Sequence, residues 1–122
     1  MKTVFLNHTN HPYEKWGVLQ KEKASVFGTV VDFPFPQIPA EMSGEDVKLL
    51  AIENSRKIIE LQPVAVLCQG EFCYTIAITE ILKAHHIIVL CACSERYSRE
   101  KVLPNGSVKK TSEFVFVQFR EC

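Results

Sequence analysis

The sequence has no apolar run long enough to cross a membrane as a helix. Its longest, such as Ile87–Cys93, reach strand length, against the ~20 residues a span requires. Net charge is also missing, with 14 basic and 14 acidic side chains among 122 residues. That balance argues against holding a long nucleic acid through nonspecific phosphate contacts. The five cysteines are an odd number, and Cys68, Cys91 and Cys93 stand inside apolar runs where a small thiol is ordinary core. A disulfide framework is therefore not expected. At the N-terminus, Met1-Lys2-Thr3 leads straight into Val4-Phe5-Leu6 and polar Asn7, without the apolar segment and small-residue cleavage site of a signal peptide. The expected location is cytoplasmic, with no membrane partner.

What is present suits one α/β domain. Apolar residues make up 47% and charged residues 23%, enough to fill a core at this length. Thr3–Leu6 reads as a short buried strand that stops at the polar run Asn7-His8-Thr9-Asn10-His11-Pro12. A modestly amphipathic helix is predicted over Tyr13–Ser25, and a second strand over Thr29–Phe35, bounded by Gly28 and by Pro34, Pro36 and Pro39. Ser43 caps a helix with Val47, Leu50, Ala51, Ile58 and Leu61 near one face, ending before Pro63. Val64–Cys68 and Ile87–Cys93 are unbroken apolar runs, the mark of strands covered on both faces of a parallel sheet, and Phe72–Ala84 between them has helical spacing. Pro104-Asn105-Gly106 then predicts a hairpin between Lys101–Leu103 and Val108–Phe119. In the second arm Phe114, Phe116 and Phe119 alternate imperfectly. The expected architecture is a Rossmann-like, mainly parallel sheet flanked by helices, with a C-terminal β-hairpin.

In such sheets ligands sit beyond the carboxyl ends of the strands, where loops diverge and helix N-termini aim free N–H groups into the gap. Three segments take that position: Asn7–His11, Gln69–Phe72 and Ser94–Arg96. Gly70 would let a ligand approach the backbone closely, or would simply form a turn. Gln69 offers amide donors and acceptors, whereas Glu71 equally suits the N-terminal charge of a helix. Ser94-Glu95-Arg96 sets a hydroxyl, a carboxylate and a guanidinium side by side, and the guanidinium fork suits phosphate. From Ser94 onward there are six basic residues against four Glu, net +2, and Lys109 with Lys110 form a basic pair. His8 and His11 would serve in acid–base exchange or in holding the loop, and no second ligand cluster accompanies them for a metal. Cys91 and Cys93 share a face of their strand, with Cys68 on the neighbouring strand, which leaves a thiol or zinc protein as an alternative to a buried core.

Phe5-Leu6-Asn7-His8, Gln69-Gly70-Glu71-Phe72, Ser94-Glu95-Arg96 and the tail from Lys109-Lys110-Thr111 to Phe119-Arg120-Glu121 together resemble the small stand-alone CARF-type CRISPR-associated proteins of type III systems. The resemblance covers the first strand and most of residues 64–122. It implies a homodimer that binds a cyclic oligoadenylate, with cyclic tetra-adenylate the favoured ring, and cleaves it as a ring nuclease without metal or cofactor. It places Asn7, Thr9, Asn10, His11, Gln69, Gly70, Glu71, Phe72, Glu95 and Lys109 around the ligand. His8, Ser94, Arg96 and Lys110 take the catalytic roles. The sequence departs from the expected pattern in having Cys93 before Ser94 and no lysine in the strand-end loops. A noncatalytic sensor or sponge for the same messenger is the alternative within that resemblance.

Overall fold

The computed structural model describes residues 3–122. It is α/β, with strands β1 (Val4–Thr9), β2 (Thr29–Asp32), β3 (Ala65–Gln69), β4 (Ile88–Val102) and β5 (Val108–Glu121), and helices α1 (Val18–Ser25), α2 (Gly44–Glu60) and α3 (Phe72–Ala84). The strands form one sheet in the order β2-β1-β3-β4-β5. The first four run parallel and β5 returns antiparallel to β4.

Two cores lie on opposite faces of this sheet, as the alternation of side chains along a strand requires. Leu6, Val66, Cys68 and Val89 face α2 and α3, where they meet Val47, Ala51, Ile58, Tyr74, Ile78 and Leu82. Phe5, Ala65, Leu67 and Leu90 point the other way, toward Trp16 and Ala24. The central strands are therefore sandwiched, which is why β3 reads as an unbroken apolar run. Ser43 caps α2 by accepting the Asp46 N–H at 3.1 Å, and α3 spans Phe72–Ala84, as its spacing predicts.

Three boundaries differ from the sequence-based expectation. β1 runs on through Asn7, His8 and Thr9, which the apolar pattern assigned to a loop. Pairing with Leu67, Cys68 and Gln69 of β3 holds them in the ladder. The helix expected over Tyr13–Ser25 is split into a 3-10 turn at Tyr13–Lys15 and α1, because Trp16 is extended and packs its ring edge-on to Phe5. The largest difference is β4. Ser94–Arg96 is not a loop at the end of a strand, because β4 continues through it to Val102, paired with Val108–Phe116 of β5. Both faces of this ribbon are exposed, so it carries no apolar stripe to mark it as strand.

The imperfect phenylalanine alternation has a structural cause. The ladder shifts at Cys93/Ser94, where Cys93 opposes Gln118 and Ser94 opposes Phe116, leaving Val117 as an extra residue. The bulge resets the parity, so Phe116 and Phe119 emerge on one face with their rings 4.9 Å apart. Phe119 continues to Phe5 at 5.3 Å, which anchors the base of the ribbon in the α1-side core.

A buried hydrogen-bond chain ties β1 to three other elements. Phe33 O can only accept, so His8 Nδ1 carries the proton that donates to it at 2.7 Å. His8 Nε2 then accepts from the Tyr74 hydroxyl at 2.7 Å, and that hydroxyl accepts from Asn54 Nδ2 at 3.0 Å. Burial lowers the His8 pKa against the opposing effect of the Phe33 carbonyl. The ring therefore stays neutral in the fold while the unfolded chain takes up a proton near the ordinary value of 6.5. Stability is accordingly full above that pH and lost as pH falls below it, with a slope of up to about 1.4 kcal/mol per pH unit from this residue. Chemical denaturation across this range checks the slope, and His8→Asn is expected to flatten it. Tyr74→Phe, which strands the His8 and Asn54 partners in the core, is expected to lower stability by about 1–3 kcal/mol in the same measurement.

Candidate functional site

The order β2-β1-β3-β4 means that the chain leaves β1 in one direction and β3 in the other, so the loops after β1 and β3 separate at their carboxyl ends. A cavity of about 790 Å³ opens there on the α1 side of the sheet. Thr9, Asn10 and His11 form one wall, Gln69 and Gly70 the floor with Leu67 and Ala92, and Lys15, Trp16 and Gly17 the side toward α1. Ser94 with Glu113–Phe116 of the ribbon closes the remaining wall.

The loop after β1 is shaped by a polar cluster at its base. Asn7 Nδ2 donates to the His11 carbonyl at 2.9 Å and to Asp32 Oδ1 at 2.8 Å. The Thr9 hydroxyl donates to Asn7 Oδ1 at 2.8 Å and accepts from the His11 N–H at 3.1 Å. Trp16 Nε1 also donates to the His11 carbonyl, at 3.0 Å, so the loop and the start of the α1 segment are held together. Asn7 is buried with both ends of its amide occupied, so it positions Asn10 and His11.

Of the residues expected to surround a ligand, Thr9, Asn10, His11, Gln69, Gly70 and Ser94 line this one cavity. His8 does not: it lies on the α2/α3 face, wholly buried, with both ring nitrogens bonded. Glu71 caps α3 by accepting the Cys73 and Tyr74 N–H groups, and it lines a second hollow of about 480 Å³ with Asn10 and Phe35–Pro39. Phe72 projects from the first turn of α3 and is 76% exposed. Glu95, Arg96, Lys109 and Lys110 are all on the ribbon beyond the cavity. There the Tyr97 hydroxyl donates to Glu95 at 2.6 Å, Arg96 donates to Ser112 at 3.1 Å, and Lys110 pairs with Glu100 at 3.6 Å.

Two expected roles change on this geometry. The space beside Gly70 belongs to the Phe35 ring, against which a Cβ at this position would collide. The glycine thus allows Phe35 to close over the loop from the α2/α3 side. Gln69 spends both ends of its amide on the Ala92 backbone, accepting its N–H at 2.7 Å and donating to its carbonyl at 3.3 Å. It fastens the crevice floor across β3 and β4. Lys15 and the aromatic wall of Trp16, Phe114 and Phe116 carry no local sequence signal for a site. Trp16 and Lys15 stood inside an expected helix, and only the bulge in β5 turns Phe116 inward.

Among the described residues, no three His, Cys, Asp or Glu side chains are arranged to hold an ion. All five cysteines are free. Burial pushes the Cys68 thiol up to about 12, and burial followed by the neighbouring Cys122 raises Cys91. In native thiol titration, the exposed Cys73 and Cys122 are expected to react first, and Cys68 only after denaturation. Gly70→Ala is expected to cost about 1–3 kcal/mol in thermal or chemical unfolding through its clash with Phe35.

Among the described residues no helix is long and apolar enough to cross a membrane. Neither the curated proteins nor the solved structures include a match to the chain. A family model does match, across residues 3–120, which is nearly the whole sheet with its helices and ribbon. The chain belongs to the family described as Uncharacterized protein MJ1673 family.

Proposed function

We propose that the chain binds a cyclic oligoadenylate, with cyclic tetra-adenylate the favoured ring, in the crevice beyond β1 and β3. The observation that carries this reading is the convergence of Thr9, Asn10, His11, Gln69, Gly70 and Ser94 on one cavity with an aromatic wall. The parallel order β2-β1-β3-β4 is consistent with a Rossmann-like arrangement of the CARF type. Trp16, Phe114 and Phe116 offer apolar surface for an adenine base, while Asn10, His11 and Ser94 offer hydrogen bonds to its edge or to ribose. Among the described residues Lys15 is the one cation in the lining, and it suits a phosphate. A four-nucleotide ring exceeds the space of a single crevice, so the reading includes a second copy of the chain facing the first. The corresponding role is in the messenger signalling of a type III CRISPR response, carried out in the cytoplasm.

As a ring nuclease, the protein would hold a ribose 2′-hydroxyl in line with its own neighbouring phosphodiester. The 2′-oxygen forms a bond to phosphorus, the bond to the 5′-oxygen breaks, the 2′-proton is lost and the departing 5′-oxygen gains one. The product is linear, with a cyclic 2′,3′-phosphate. Alignment supplies much of the barrier reduction, and a cation at the phosphate stabilises the developing charge. In this chain His11 and Ser94 are the lining groups suited to moving a proton, and Lys15 the group suited to the phosphate. The noncatalytic sensor or sponge has its own support. His8 is in the core, and Arg96 and Lys110 stand outside the cavity of one copy.

Incubation with labelled cyclic tetra-adenylate in EDTA tests both. Retention of the ring with linear product supports the nuclease, and retention of the intact ring supports the sensor. No retention and no product overturns the proposal. Lys15→Ala is expected to weaken binding about tenfold or more and to reduce its salt dependence.

A further inference from the structure

β5 is an edge strand of 14 residues, with no proline and, among the described residues, a partner on one side only. The opposite edge, β2, has four residues and is followed by Pro34 and Pro36, which blunt it. The segment of β5 facing Ser94–Val102 reaches about 30 Å past the sheet core, taking ~3.3 Å per residue. Both faces of this ribbon are open to solvent, and Phe114 on it is 72% exposed. A two-stranded ribbon of this kind is at best marginally stable in water, and its free edge is a template for another strand.

We propose that the open edge of β5 pairs antiparallel with β5 of a second copy, about a two-fold axis at Thr111. A two-fold axis perpendicular to the sheet keeps each side chain on its own face, so the axis lies midway between one residue and its own copy. With Thr111 on the axis, Lys109 lies opposite the partner's Glu113, Val108 opposite the partner's Phe114, and Thr111 opposite its own copy. Lys110 lies opposite the partner's Ser112, and the three pairings named before it are favourable cross-strand combinations. Moving the axis to Ser112 sets Lys109 against Val115, and moving it to Glu113 sets that carboxylate against itself. Charge complementarity therefore selects Thr111.

The single chain also carries an unresolved repulsion that this register relieves. Lys109 lies directly across the ladder from Lys101. Neither is in an ion pair among the described residues. Like charges directly opposed across strands are unfavourable, and the partner's Glu113 would sit on the other side of Lys109.

The pairing also deepens the proposed site, and in this respect it rests on the oligoadenylate reading. Ser94, Phe114 and Phe116 line the cavity, and Lys110 shares their face of the ribbon by its even spacing from Phe114. In the paired edges the partner's Lys110 stands diagonally next to Phe114. Its bond to Glu100 is exposed and 3.6 Å long, so little holds it back. It adds a cation to a crevice in which, among the described residues, Lys15 is the one cation in the lining.

The pairing is tested on the full chain without any nucleotide, by sedimentation equilibrium over a concentration series. A dimer is expected, Glu113→Lys should raise its dissociation constant about tenfold or more, and the Lys109→Glu/Glu113→Lys exchange should restore it. Circular dichroism of each variant separates loss of pairing from loss of fold. In a Cys73→Ser/Cys122→Ser background, Thr111→Cys should give an intermolecular disulfide under mild oxidation by glutathione disulfide. A monomer at every concentration, a dimer indifferent to Glu113→Lys, or a failed exchange overturns the proposal. Because no ligand is present, failure of oligoadenylate binding leaves this result standing, and the reverse also holds.

Discussion

The buried chain from Asn54 through Tyr74 and His8 to the Phe33 carbonyl is the interaction on which the site depends. It joins α2, α3, β1 and the segment after β2 through three hydrogen bonds. A histidine at this depth is costly unless both ring nitrogens are partnered, and here each partner is fixed by its own element. The benefit is conformational. With His8 pinned toward α2 and α3, Asn7 and Thr9 necessarily point to the opposite face, where they fold the loop carrying Asn10 and His11. The crevice is thus shaped from behind by His8, Tyr74 and Asn54, which do not line it.

A second constraint acts from the other end of the chain. Without the extra residue in β5, Phe116 and Phe119 would emerge on opposite faces of the ribbon. The shift at Cys93/Ser94 brings both to the α1 side, where Phe119 docks on Phe5 and Trp16. The ribbon is thereby anchored at its base and its Glu113–Phe116 stretch becomes a cavity wall. Bulges of this kind re-aim side chains at the cost of one unpaired residue.

The two constraints give a crevice rich in aromatic and neutral hydrogen-bonding groups and poor in charge. Such a lining suits a base and a ribose better than a bare phosphate. The basic residues counted in the C-terminal part of the sequence lie mostly on the ribbon, away from the cavity of their own chain. The proposed anionic ring and the proposed edge-paired second copy rest on the same observation, because each calls for charge at a place where one chain has little.

Much of the architecture was legible in the sequence, because apolar runs and caps are local signals. β3, α2 with its Ser43 cap and α3 follow directly from such patterns, as does the turn at Asn105-Gly106. Polar switches after apolar runs were also legible at Asn7, Gln69 and Ser94, although only Gln69 ends its strand. Their fates diverged for a reason no local pattern carries. Whether a polar side chain after a strand lines a cleft or joins a core depends on whether a partner from a distant element reaches it. His8 meets Tyr74, 66 residues away, and becomes core, whereas Ser94 meets Phe116 and becomes wall. Residue types and periodicity determined the layers of this protein. Long-range pairing, the parity set by one bulge, and the satisfaction of buried polar groups were decided only by the tertiary structure.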